Sequence, residues 1–76
     1  MDSITIEQMI KEGMPDAEVS VSGEDGVHFE ARVVSPSFEG VPTIKRHRMV
    51  CATLGKVRGN EIHALGLRTE TPAESG

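Results

Sequence analysis

Apolar positions along the chain change period several times, and each change marks an element. Ile6, Met9, Ile10, Gly13 and Met14 fall at offsets of zero, three, four, seven and eight, one face of an amphipathic helix. Thr5 with Gln8 three residues on reads as a capping box, and Ile4 with Met9 as a hydrophobic staple across it. Gly13 and Pro15 end the helix. The period then drops to two. Val19 and Val21 make a short strand, the cluster from Ser22 to Gly26 makes a turn, and Val27, Phe29, Ala31 and Val33 alternate with polar residues in a second strand. If the apolar set faces the helices, His28 faces away from them. Ser35-Pro36-Ser37 breaks the strand, and Phe38-Glu39-Gly40 leads into a second helical region with Pro42 in its first turn. Ile44, Val50, Leu54 and Val57 form its stripe, His47 falls on that stripe, and Gly55 leaves one helix or two as equal readings. Gly59-Asn60 stops it, Ile62 to Thr69 is the last strand, and Thr71-Pro72 ends that strand before a short polar tail.

The predicted order is helix, strand, strand, helix, strand. A hairpin followed by a helical crossover gives an α+β fold, a mixed three-stranded sheet with the helices packed on one face. Seventy-six residues are expected to form a single domain spanning 1–76. Trp and Tyr are absent and Phe occurs twice, so the core must come from Val, Ile, Leu and Met. A domain this small leaves little room for a deep catalytic cleft beside its core. No apolar run is long enough to span a bilayer, and the N-terminus reads as an amphipathic helix and not as a signal peptide. The expected setting is cytoplasmic, with no membrane partner. The formal charge of −4 gives no overall drive toward nucleic acid, so such binding would need a local basic patch.

Candidate chemistry is sparse. The sequence contains no Gly-x-Ser-x-Gly elbow, no phosphate-binding loop and no dinucleotide fingerprint. Cys51 is the single cysteine, four residues after His47 on the same helix. The two side chains can meet, yet a cysteine within an apolar stripe more often packs as a small hydrophobe. Lys45-Arg46-His47-Arg48 is a basic cluster at a helix start, with Lys56 and Arg58 beyond it. It reads as a phosphate-contacting patch, as a solvated helical face, or as a docking surface for an acidic partner. Gly55 to Gly59 has one residue too many for the Gly-x-x-Gly clamp of nucleic-acid-binding KH domains. Of the three histidines, His47 reads as a half-buried helix residue and His28 as an exposed strand residue. His63 opens the last strand, where a neutral imidazole could ligate iron or zinc.

Taken in order, Phe38-Glu39-Gly40, Arg46-His47-Arg48-Met49-Val50, Leu54, Ile62-His63-Ala64-Leu65, Thr69 and Thr71-Pro72 resemble the BolA family over nearly the whole chain, and His28-Phe29 looks like it as well. The short turn from Ser22 to Gly26 is similar to the compact bacterial branch, the IbaG/YrbA-like proteins. The resemblance implies an α-β-β-α-β fold related to class II KH domains. It implies a non-enzymatic partner of monothiol glutaredoxins in iron–sulfur cluster assembly and iron-linked regulation. The protein would be a monomer or weak homodimer when alone, without a cofactor of its own. In such heterodimers a two-iron, two-sulfur cluster is shared, with cysteine and glutathione from the glutaredoxin and a histidine that maps onto His63. Many members carry Cys or His where this chain has Asp25, a harder ligand, which makes His28 the nearest substitute. The resemblance also brings an alternative, a DNA-binding transcriptional regulator using the helix around Arg46-His47-Arg48. The family often carries a Trp after Thr-Pro and an acidic residue; this chain has Ser75 after Glu74.

Overall fold

The computed structural model describes residues 2–23, 28–55 and 64–75. Helix α1 spans Ser3–Gly13, β1 Glu18–Ser22, β2 His28–Val34, α2 Thr43–Leu54, β3 Ala64–Glu70 and a last short helix α3 Pro72–Ser75, with a single 3-10 turn at Pro36–Phe38 before α2. Strand order is β1-β2-β3. β1 pairs antiparallel with β2, Val21 opposite Ala31, and β2 pairs parallel with β3, Phe29 opposite Leu65. The sheet is therefore mixed, and α2 is the crossover between its parallel strands.

Alternation along β2 sorts the two faces. Phe29, Ala31 and Val33 are buried with Ile6 and Ile10 of α1, Met14 just past its end, and Val50 and Leu54 of α2, while Val19, Val21, Leu65 and Leu67 pack at the margin of this core. His28, Glu30 and Arg32 point to the opposite, uncovered face, as the alternation predicts. α1 and α2 approach closely at Gly13, where a Cβ would stand 2.5 Å from Thr53 Cγ2. Any side chain at position 13 would wedge the helices apart.

Four expectations change. Asp2, not Thr5, caps α1: the Thr5 backbone N–H donates to Asp2 Oδ1 at 2.8 Å, and the helix starts at Ser3. That places Ile4 inside the first turn and turned to solvent, 64% exposed, so it forms no staple. Ile44 is also exposed, and the buried stripe of α2 is Arg46, Val50 and Leu54 at spacings of four. These three share one line along the helix, whereas Ile44, two residues before Arg46, lies about 200° around it. Helix α2 ends at Gly55, whose φ of +39° favours glycine, and the choice between one helix and two turns on residues 56–63, which lie outside the described ones. Finally, the expected polar tail contains α3. Thr71 Oγ1 accepts from the Glu74 N–H, and Glu74 Oε1 accepts from the Thr71 N–H, a capping box around Pro72 at the first helical position. The last strand reaches Glu70; Ile62, Val57 and Gly59-Asn60 lie outside the described residues.

Candidate functional site

The basic cluster does not present one face. Lys45 and Arg48 are exposed on α2, His47 is half-buried, and Arg46 is buried. As the first member of the Arg46, Val50, Leu54 stripe, Arg46 lays its aliphatic stem along the core and carries its guanidinium to the end of the sheet. There Nε donates to the Val41 carbonyl at 2.7 Å, Nη1 to Glu74 Oε1 at 2.7 Å and to the Thr69 carbonyl at 3.4 Å, and Nη2 to Glu74 Oε2 at 3.4 Å. The guanidinium carbon stands 5.7 Å from the centre of the Phe38 ring, within cation–π range. Arg46 thus ties α2, β3 and α3 together and is removed from the exposed patch. The hydrogen bond from Arg46, then that from the Thr71 N–H, holds the Glu74 carboxyl below its ordinary value. In return Glu74 raises the Arg46 pKa. Sequence reasoning passed over Glu74, although Thr71-Pro72-Ala73-Glu74 carries the spacing of a capping box with proline at its favoured place.

A second polar cluster joins loops on the other side of the sheet's end. Ser35, fully buried, and Ser37 both donate to the Asp16 carboxylate, and the Ser37 N–H donates to Ser35 Oγ. These bonds, Ser37 first, hold the Asp16 carboxyl down.

On the uncovered sheet face, residues of the three strands stand in cross-strand rows. Ser22, Glu30 and Gly66 form one row, and Ser20, Arg32 and Arg68 the next. Glu70 Oε1 sits between the two arginines, 2.8 Å from Arg32 Nε and 3.2 Å from Arg68 Nε. Its carboxyl is lowered, chiefly by the bond from Arg32. Together these rows line a shallow groove of about 360 Å³. His28, at the start of β2, is exposed on this same face.

Of the sequence-predicted site residues, Lys45, Arg46, His47 and Arg48 share α2, and His28 stands apart from them across the sheet. Asp25, Lys56, Arg58 and His63 lie outside the described residues. Leu65 and Leu67 pack against the core while His28 faces outward, so β2 offers its imidazole to the face opposite those leucines. Cys51 is a half-buried free thiol. No group of three or more His, Cys, Asp or Glu side chains able to hold a metal occurs among the described residues. None of their helices is long and apolar enough to cross a membrane.

Comparison with known proteins places this arrangement. A family model described as BolA-like protein matches residues 5–74. The chain is 33% identical over 75 residues to the acid stress protein IbaG of Escherichia coli, covering 97% of this chain and 88% of that one. The structure of a BolA homologue from Coxiella burnetii superposes with a TM-score of 0.88 at 43% identity, over 99% of this chain and 96% of that one. The BolA domain of SufE1 from Arabidopsis thaliana superposes with a TM-score of 0.79 at 29% identity, over 95% of this chain and 93% of that one.

Proposed function

The chain belongs to the BolA-like family, and from that membership we propose that it is a non-enzymatic partner of a monothiol glutaredoxin, helping to hold and deliver an iron–sulfur cluster. The observation that carries this reading is the extent of the family match, which runs from Thr5 through Glu74 and so includes the Arg-His-Arg and Ile-His-Ala-Leu elements. That the same fold stands as a domain of SufE1 supports a docking module. The cluster is cargo in this reading. His63 is the proposed histidine ligand, with Asp25 and His28 as the further candidates near the hairpin turn. Imidazole in place of thiolate raises the potential of such a cluster.

The test is anaerobic reconstitution with a monothiol glutaredoxin and glutathione, followed by visible absorption and circular dichroism. The mixture is expected to give a spectrum distinct from that of the glutaredoxin alone. His63→Ala should abolish the difference, and His47→Ala should preserve it. A spectrum and complex mass identical to those of glutaredoxin alone would overturn the proposal.

A second reading, binding to duplex DNA through α2, is favoured by the exposure of Lys45 and Arg48. It rests on those two residues, with Lys56 and Arg58 as further candidates; the position of Arg46 argues against its counting among the phosphate contacts.

A further inference from the structure

We propose that two copies of this chain associate through the outer edge of β3, antiparallel about Leu67, to form one continuous six-stranded sheet. The reasoning starts from the backbone. β3 ends the sheet, with β2 on one side and no described strand on the other. The Ser35 N–H donates to the Glu70 carbonyl at 2.9 Å, so Glu70, and with it Arg68 and Gly66, turns its polar backbone groups toward β2. In a parallel ladder alternate residues address opposite neighbours. The N–H and C=O groups of Leu65, Leu67 and Thr69 therefore point outward. Protein edges of this length are commonly blunted by proline, a bulge or a covering side chain. Here β3 is seven residues without proline, and the one described cover is the long Arg46 contact to the Thr69 carbonyl.

The side chains on the uncovered face identify the occupant. Antiparallel pairing about Leu67 sets Leu67 against Leu67 of the second copy, Leu65 against Thr69, and Arg68 against Gly66. At Gly66 there is no side chain, and Glu30 already leans over the gap: a Cβ there would lie 3.5 Å from Glu30 Cγ and 3.9 Å from its Oε1. Glu30 forms no ion pair with a described residue. Arg68 has a side chain 73% exposed. Across the pairing, Arg68 and Glu30 of the second copy are two strands apart, roughly 10 Å between backbones. An arginine and a glutamate span that distance when a glycine lies between them. Within one chain Arg68 also stands in register beside Arg32, two like charges on neighbouring strands sharing the Glu70 carboxylate. Such pairs repel, and a second carboxylate arriving from the other copy relieves them. The two-fold axis makes both contacts twice. On the helix face, Leu65 and Leu67 extend the apolar layer to the edge, where the margin of one copy meets that of the other.

This inference is independent of the glutaredoxin reading. It is tested by sedimentation equilibrium from micromolar to millimolar concentration. The wild-type chain is expected to dimerise reversibly. Glu30→Arg and Arg68→Glu, each checked for native circular dichroism and melting, should each weaken dimerisation by about tenfold, because each sets like charges opposite one another twice. An equimolar mixture of the two variants should recover association near the wild-type level, since both contacts then join opposite charges. A folding defect in either variant cannot produce that recovery. A wild-type chain that stays monomeric into the millimolar range, single variants that dimerise like wild type, or a mixture that stays apart would each overturn the proposal. The last outcome would leave the edge to a strand of another protein, which needs no reciprocity between Glu30 and Arg68.

Discussion

Arg46 and Arg48 stand two positions apart in one helix and do opposite work. Arg46 is held on four sides, by Val41, Thr69, Glu74 and the Phe38 ring, while Arg48 extends into solvent. Removing the first takes the arginine partner from Glu74, leaves the Val41 carbonyl without its donor and opens space against Phe38. Arg46→Ala is therefore expected to lower the melting temperature by about 5–10 °C, and Arg48→Ala by about 2 °C or less, a difference that paired thermal melts resolve. Consequently, a loss of DNA binding in Arg46→Ala would report unfolding as readily as a lost phosphate contact. The Arg-His-Arg triplet was legible as basic, but which arginine points inward was not read from it. The missing information lay in spacing: Arg46, Val50 and Leu54 follow one another at intervals of four, the geometry of a buried stripe. A long aliphatic stem with a polar tip fits the end of such a stripe better than Ile44, which the helical angle turns to water.

At the level of elements, the strands and both main helices follow from apolar periodicity, because burial of one face dominates their energetics. Ends were less legible. Asp2 and Thr5 are both good caps three residues apart, and the backbone accepts Asp2, whose carboxylate also suits the positive end of the helix. α3 was missed because four residues show no period; its evidence is the reciprocal Thr71–Glu74 bonding and the bridge to Arg46. That bridge makes the clasp acid-labile. The Glu74 carboxyl is depressed in the fold below its ordinary 4.5, first by Arg46 and then by Thr71, so its stabilising contribution is present above 4.5 and is lost as pH falls through the depressed value. Glu70 behaves the same way beside Arg32, and Asp16 beside Ser37. The melting temperature is expected to fall as the pH drops below about 4.5. In Glu74→Gln it should start from a lower plateau and fall less, which a series of melts from neutral to acid pH measures directly.

For the whole molecule, net charge and local charge point in different directions. The chain carries −4 overall, and α2 offers Lys45 and Arg48 as exposed cations among the described residues. Two phosphate contacts give a log–log salt slope of about −2 for duplex DNA. A titration of binding against salt is therefore expected to be shallow, with Arg48→Ala reducing the slope by about one unit. A steeper slope would assign further contacts to Lys56 and Arg58. Apolar periodicity predicted the helix, strand, strand, helix, strand order and the mixed sheet, the family resemblance implied the same order, and the structure shares both. The proposed cluster ligands were legible only as residue types, because in that reading His63 and Asp25 would take their meaning from a second protein. One topological fact reaches beyond binding. β1 and β2 are neighbours in sequence, but every residue of β2 pairs with a residue of β3 that lies 36 positions later. The hairpin can assemble by local search, whereas the parallel ladder must close a long loop before any of its hydrogen bonds offsets the lost chain entropy. The arrival of β3 is thus expected to be the slow event in folding. Until then the same strand edge of β2 that will hold β3 is bare, and the time a newly made chain spends open to misassembly is set by that single closure.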